Sequence, residues 1–326
     1  MTAVKRLGYV GALNSALQHE MDRDSSVFVM GEDVGRHGGM FRVTAGLLER
    51  FGERRVIDTP ISESGFIGLA LGAAMMGKRP VVEIMFQDFA LVALDQILNQ
   101  VAKTTYMSGG EVKVPLVLRT QGGGYKGSAA QHSQMLEALF LHLPGLKVVA
   151  PSNAADAKGL LSTAIRDDNP VLFLEHKLLY ASKEDYPDGE YLVPLGKARV
   201  VRPGTNLTLI SYSFLVGMAL EAAMVLETQG VSAEVIDLRS LNPLDWPTLE
   251  TSVRKTHRVL IVHEAHARCG VAADLSAQIQ ERLFDELDAP ILRLCARDIP
   301  IPFAQVLEEA TLPSVDKILA KVRELL

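Results

Sequence analysis

The segments VFVM (27–30), VVEIMF (81–86), VPLVLRT (114–120) and PVLFLEH (170–176) are apolar along nearly their whole length. A strand that is hydrophobic on both faces has no side to give to water. It belongs in a parallel sheet covered by helices above and below. RRVIDTP (54–60) and LKVVAPS (146–152) read as two further strands. Between them lie FALVALDQILNQVAKTTYM (89–107), QMLEALFLHLPG (134–145) and AADAKGLLSTAIRDD (154–168), with apolar residues at the three- and four-residue spacing of a helix face. Strand and helix alternate, which predicts an α/β fold with a parallel sheet.

The alternation stops at residues 181–204, ASKEDYPDGEYLVPLGKARVVRPG, a polar stretch with three Pro and three Gly. This predicts a linker, within which YLVPL and KARVV can pair as short strands. The α/β pattern then resumes through NLTLISYS, LVGMALEAAMVLETQG, SAEVIDLRS, RVLIVHEA and APILRLCARD, and closes on the helix SVDKILAKVRELL. The expectation is a first domain over 1–180 and a smaller one over 205–326, in keeping with a chain of 326 residues. The opening MTAVKRLGYVGALNSALQHEM reads as a first helix rather than a signal peptide.

Charge and cysteine usage exclude several classes. A net charge of −6 without a basic stripe argues against nucleic acid and against an anionic membrane surface. No apolar run is long enough to span a bilayer. Two cysteines, Cys269 and Cys295, without a CxxC pair fit a reducing, cytoplasmic setting.

Three motifs tempt and fall short. GAAMMGKR (72–79) resembles a phosphate-binding loop, but Arg79 stands where magnesium needs Ser or Thr. GGGYKG (122–127) follows a strand, yet no acid ends a second strand about 20 residues on, so an NAD-binding oxidoreductase is disfavoured and a flexible surface loop is the plain reading. His263 and His266, in HEAH after the strand RVLIV, have no third ligand nearby and read as solvated loop residues.

A sharper question sits in DTPISESGFIGLALGAAMMGKRP (58–80). Gly65, Gly68, Gly72 and Gly77 each cost a helix roughly 1 kcal/mol relative to Ala. A helix carries that cost where a backbone or a ligand must come close. Glu63 stands at its mouth, and on spacing alone it is a helix-start carboxylate favoured by the dipole.

The strings GEDVG, IDTPISESGF, DQILNQVAK, YMSGG, AAQHSQ, PGLKVVAPS, DAKGLL and AIRDDNPV occur in this order over nearly the whole chain. Together they resemble the beta subunit of thiamine-diphosphate-dependent 2-oxo acid dehydrogenases. VEIMFQDF and GGGYKGSAAQHSQ are most similar to the pyruvate and acetoin types. The resemblance implies an N-terminal pyrimidine-binding domain and a C-terminal transketolase-like domain. It implies that Glu63 hydrogen-bonds the aminopyrimidine ring nitrogen of the cofactor and shares a proton there, favouring the imino tautomer that deprotonates the thiazolium carbon. Phe89 would stack beside that ring, with Gln87 and Ile61 lining the same pocket. His132, in AAQHSQ, would position the lipoyl substrate or handle protons during reductive acylation of lipoyl groups, the alternative being a buried core histidine. A potassium ion would be held through main-chain oxygens of Leu116, Ala164, Ile165, Asp167 and Asn169.

No GDG motif for magnesium and diphosphate is present, so the resemblance assigns that half of the site to an alpha subunit in an α2β2 heterotetramer. The expected partners are that subunit, a lipoyl-bearing acyltransferase and a small 2-oxo acid or acetoin. The alternatives are a branched-chain 2-oxo acid as substrate, or a non-catalytic partner subunit.

Overall fold

The computed structural model describes residues 4, 5 and 8–326. They divide into two compact units, Met1–Gly122 with Leu139–Leu195, and Gly123–Ala138 with Gly196–Leu326.

In the first unit the strands are β1 (Val27–Gly31), β2 (Val56–Asp58), β3 (Arg79–Ile84), β4 (Val117–Gly122), β5 (Lys147–Val149) and β6 (Val171–His176). They lie in the order β5-β6-β4-β3-β1-β2 and every pairing among them is parallel. β1, β4 and β6 are buried at every position, as continuous apolar runs require. Helices α1 (Gly8–Arg23), α2 (Glu63–Met75) and α3 (Ala154–Arg166) connect and cover the sheet. The start expected for α1 lies partly outside the described residues. α3 begins where the Asn153 side chain accepts the Asp156 N–H at 2.9 Å, a side-chain cap of the usual kind.

A charged cluster lies at the centre of this sheet. Arg119 of β4 is fully buried. Its Nη1 donates to Glu83 of β3 at 2.6 Å and its Nη2 to Glu175 of β6 at 2.9 Å. Tyr180 donates its hydroxyl to the same Glu175 oxygen at 2.6 Å. One guanidinium thus links three neighbouring strands. Burial pushes its pKa down, but the charges of Glu175 and Glu83 outweigh burial and hold it up.

Two expectations are corrected here. FALVALDQILNQVAKTTYM is not one helix but short turns over Gln87–Ala90 and Thr104–Met107 with a widened turn over Gln96–Val101. YLVPL does not pair with KARVV. It lies on α3, where Val193 N donates to the Gly159 carbonyl at 3.2 Å and the Thr163 hydroxyl donates to the Val193 carbonyl at 2.8 Å.

The second unit has β7 (Arg199–Arg202), β8 (Leu207–Ser211), β9 (Ala233–Asp237), β10 (Val259–His266) and β11 (Leu292–Ala296) in the order β11-β10-β8-β9-β7. Only β7 runs antiparallel, against β9. Helices α4 (Leu215–Thr228), α5 (Trp246–Thr256), α6 (Val271–Leu283), α7 (Gln305–Thr311) and α8 (Val315–Arg323) belong to the same unit. β10 continues through HEAH, so His263 and His266 are strand residues, three apart across an irregularity in the pairing with β11. His263 is buried with its Nε2 3.4 Å from Cys295 Sγ, and burial pushes its imidazole down to about 3. His266 is partly exposed. They are not the paired loop histidines expected.

Candidate active site

Glu63 is the first residue of α2 and is 7% exposed. Two contacts fix the entry to this helix. Thr59 N donates to the Gly31 carbonyl at 3.0 Å, and the Asp58 carboxylate accepts the Gly35 N–H at 2.6 Å. The ends of adjacent parallel strands β1 and β2 are thereby stitched together at their carboxyl edge, where α/β sheets place ligands.

The residue directly after β1 is Glu32, the glutamate of the string GEDVG. Its carboxyl is raised, first by burial and then by the charge of Glu63. Its Oε1 is buried without a hydrogen-bond partner among the described residues. Two carboxyls therefore converge at this edge, and an unsatisfied acceptor invites a donor from outside the chain. The sequence shows only an acid closing an apolar strand; its proximity to Glu63 comes from the pairing of β1 with β2.

Gln87 is fully buried and Phe89 half-buried, both in the turn Gln87–Ala90 that follows β3. The aromatic contacts beside them centre on Phe86. Its ring lies edge-on to Phe41 at 6.0 Å, Phe41 stacks on Tyr180 at 4.5 Å, and Lys177 Nζ sits 5.4 Å from the Phe86 ring. Ile61 is 83% exposed.

The glycines of α2 do separate things. A Cβ on Gly68 would meet the Gln96 side chain at 3.2 Å, whereas nothing in this chain lies within 4 Å of one on Gly72. Leu69, Met75 and Met76 are exposed on the same helix and its end. α2 therefore has an apolar outer surface.

His132 belongs to the second unit and is exposed, which overturns the buried-core alternative. Its neighbours Ala130 and Gln134 line a cavity of about 550 Å³ with His266, Arg268, Asp298 and Ile301.

The five residues of the cation reading gather at the C-terminal end of α3 and the start of β4. Four of their carbonyls already have partners. Leu116 accepts from Val171 N at 2.9 Å, and Ala164 from Asp167 N at 3.3 Å. Ile165 and Asp167 both accept from Arg79 Nη1, at 3.0 and 3.1 Å. Asn169 donates its side-chain amide to Asp167 Oδ1 at 2.9 Å. Each carbonyl keeps a second lone pair, so hard oxygen donors remain for a monovalent ion. Such an ion would share two of them with Arg79. Among the described residues no group of three or more His, Cys, Asp or Glu could hold a metal.

Comparison with known proteins places these features. Residues 5–183 match the family described as transketolase, pyrimidine binding domain, and residues 196–318 that described as transketolase, C-terminal domain. The chain is 50% identical over 313 residues to the pyruvate dehydrogenase E1 component subunit beta of Rickettsia felis, covering 96% of each. It is 48% identical over 320 residues to the mitochondrial pyruvate dehydrogenase E1 component subunit beta of Caenorhabditis elegans, covering 96% of this chain and 90% of that one. A solved chain titled "Split gene transketolase, inactive beta4 tetramer" shares the fold, with a TM-score of 0.78 at 23% identity over 98% of both chains.

Proposed function

Because this chain belongs to the family of pyruvate dehydrogenase E1 component beta subunits, we propose that its Glu63 edge binds the pyrimidine half of thiamine diphosphate in an enzyme that decarboxylates pyruvate. The observation that carries this reading is the convergence of Glu63 and the unsatisfied Glu32 carboxyl at the carboxyl edge of β1 and β2. Such a pair of carboxyl acceptors fits a protonatable heteroaromatic ring bearing N–H groups. When bound, the cofactor supplies the electron sink for the carbanion left by decarboxylation.

This chain's own part is proton placement and shape. Glu63 holds a proton at the pyrimidine ring nitrogen, fixed in direction by the start of α2. The neighbouring Glu32 raises the free energy of a second negative charge beside it. Gln87 and Phe89 line the ring's flank. His132 delivers a proton to the leaving sulfur when the acyl unit passes to a lipoyl group.

An alpha subunit supplies the magnesium–diphosphate half, since no GDG motif occurs here. The apolar outer surface of α2 supports a protein partner in an α2β2 assembly. A lipoyl-bearing acyltransferase receives the product. A potassium ion beside Arg79 belongs to the same reading, as does a cytoplasmic setting. Supporting the latter, both cysteines are free and no helix among the described residues is long and apolar enough to cross a membrane.

The test is the co-purified alpha–beta assembly assayed on pyruvate, acetoin and branched-chain 2-oxo acids. Pyruvate is expected to be turned over with the highest kcat/KM. An assembly that binds thiamine diphosphate yet ignores pyruvate sinks the substrate assignment.

A further inference from the structure

The segment 123–138 carries His132, and the second unit holds it through side chains rather than through a sheet. Gly124 N donates to Glu264 Oε1 and Gly127 N donates to Glu308 Oε2, the first at 2.5 Å and the second at 2.9 Å. The Tyr125 hydroxyl donates to the Pro313 carbonyl at 2.9 Å, and its ring lies 5.5 Å from Phe214. At the far end of the segment, the Tyr212 hydroxyl donates to Glu137.

The acids that grip the loop come from different elements, Glu264 from β10 and Glu308 from α7, and both are buried. Burying a carboxylate is costly unless charge-assisted hydrogen bonds compensate it. Here those bonds go to main-chain N–H groups of one loop. The approach depends on glycine. A Cβ on Gly124 would lie 2.6 Å from Leu312 Cδ1 and 3.2 Å from Glu308 Oε1. Tyr125 and Ala129 are both left-handed, with φ of 64° and 59°. A loop that merely crossed a surface needs neither buried anions nor strained backbone.

We propose that Glu264 and Glu308 are positioning residues that clamp the Gly124–Gly127 loop and so hold His132 in place for lipoyl acylation. The inference rests on the role of His132 proposed above. It makes the glycine-rich stretch a rigid bracket instead of a flexible loop.

The experiment uses the assembled holoenzyme carrying Glu264→Ala, Glu308→Ala, the two Gln variants and His132→Ala. Hydrogen–deuterium exchange is followed over residues 123–138. In parallel, acyl transfer to a free lipoyl domain is divided by decarboxylation with an artificial electron acceptor. The Ala variants are expected to exchange faster in this segment and to lower the ratio on the order of tenfold or more, the scale of a displaced catalytic group. The Gln variants keep a carbonyl oxygen for the loop N–H and are expected to restore most of both.

Faster exchange with an unchanged ratio overturns the positioning role, and wild-type exchange in the Ala variants overturns the clamp itself. If His132→Ala leaves the ratio intact, it is the His132 reading that fails. If His132→Ala lowers the ratio and the clamp variants do not, only the clamp fails. Where an Ala variant does not assemble, Glu308→Asp replaces it. Asp keeps the charge but withdraws the oxygen from the Gly127 N–H, and the same outcomes decide.

Discussion

Glu32 and Glu63 share one edge of the first sheet, and after burial itself it is the charge of Glu63 that pushes the Glu32 carboxyl up. Two acids that cannot both ionise cheaply have pH behaviour that belongs to the pair. Glu32→Gln leaves a neutral neighbour in place of a repelling charge. The alkaline limb of the pH profile of kcat/KM, where a proton-donating acid loses its proton, is therefore expected to move to lower pH. A steady-state profile of the assembled variant checks this, and a limb that stays where it is in the wild type argues that the pair is not coupled in catalysis.

Glu63→Gln keeps the size and burial of the side chain but cannot give a proton to a ring nitrogen. Turnover is expected to drop on the order of 10²-fold or more, as for other positioned proton donors. The melting temperature and subunit assembly are expected to stay close to the wild type. Cofactor-loaded, assembled protein with wild-type turnover would remove Glu63 from the chemistry.

His132→Ala separates the half-reactions. Decarboxylation with an artificial acceptor is expected to continue, while acyl transfer to the lipoyl domain is lost. Opening a dithiolane needs a proton at the leaving sulfur, which imidazole can deliver near neutral pH. The exposure of His132 is consistent with contact to a large second substrate. Should both rates fall by one factor, the residue acts before the acyl unit is made.

Glu137 gives a stability test independent of activity. Burial pushes its carboxyl from 4.5 up to about 7, against the lowering effect of the Tyr212 hydrogen bond. The folded state therefore binds this proton more tightly than the unfolded chain does. Its stabilising contribution is present below about 4.5 and is lost as pH rises through about 7. Glu137→Gln, neutral throughout, is expected to be more stable than the wild type at pH 8 and to show a flatter dependence between pH 5 and 8. Chemical denaturation across that range reads the difference, and parallel curves for the two proteins refute the shift.

The sheet was legible because burial on both faces leaves a plain mark. VFVM, VPLVLRT and PVLFLEH are strands in the parallel first sheet. Helix lengths were less legible. FALVALDQILNQVAKTTYM has a helix-like apolar spacing, yet Thr104 donates its hydroxyl to the Gln100 carbonyl and the run breaks into short turns. HEAH reads as loop because its polar letters hide that the strand continues through them. At the site, the place of Glu63 before a glycine-rich helix marks only a helix-start carboxylate, and its cofactor reading comes from the family strings around it. Glu32 could not be found in this way, since its importance lies in a neighbour 31 positions away that only the pairing of β1 with β2 brings close. The grip of Glu264 on Gly124 spans 140 positions and left no local trace.

The outer surface of α2 has a meaning for the cell as well as for the enzyme. Leu69, Met75 and Met76 face water whenever this subunit is alone. A copy made in excess of its partner carries an adhesive patch, and exposed apolar surface of that kind feeds aggregation and draws chaperones. On the proposed α2β2 reading, matched synthesis of the two subunits is expected to favour solubility. A beta chain expressed without its partner is expected to be recovered largely as self-associated or insoluble material.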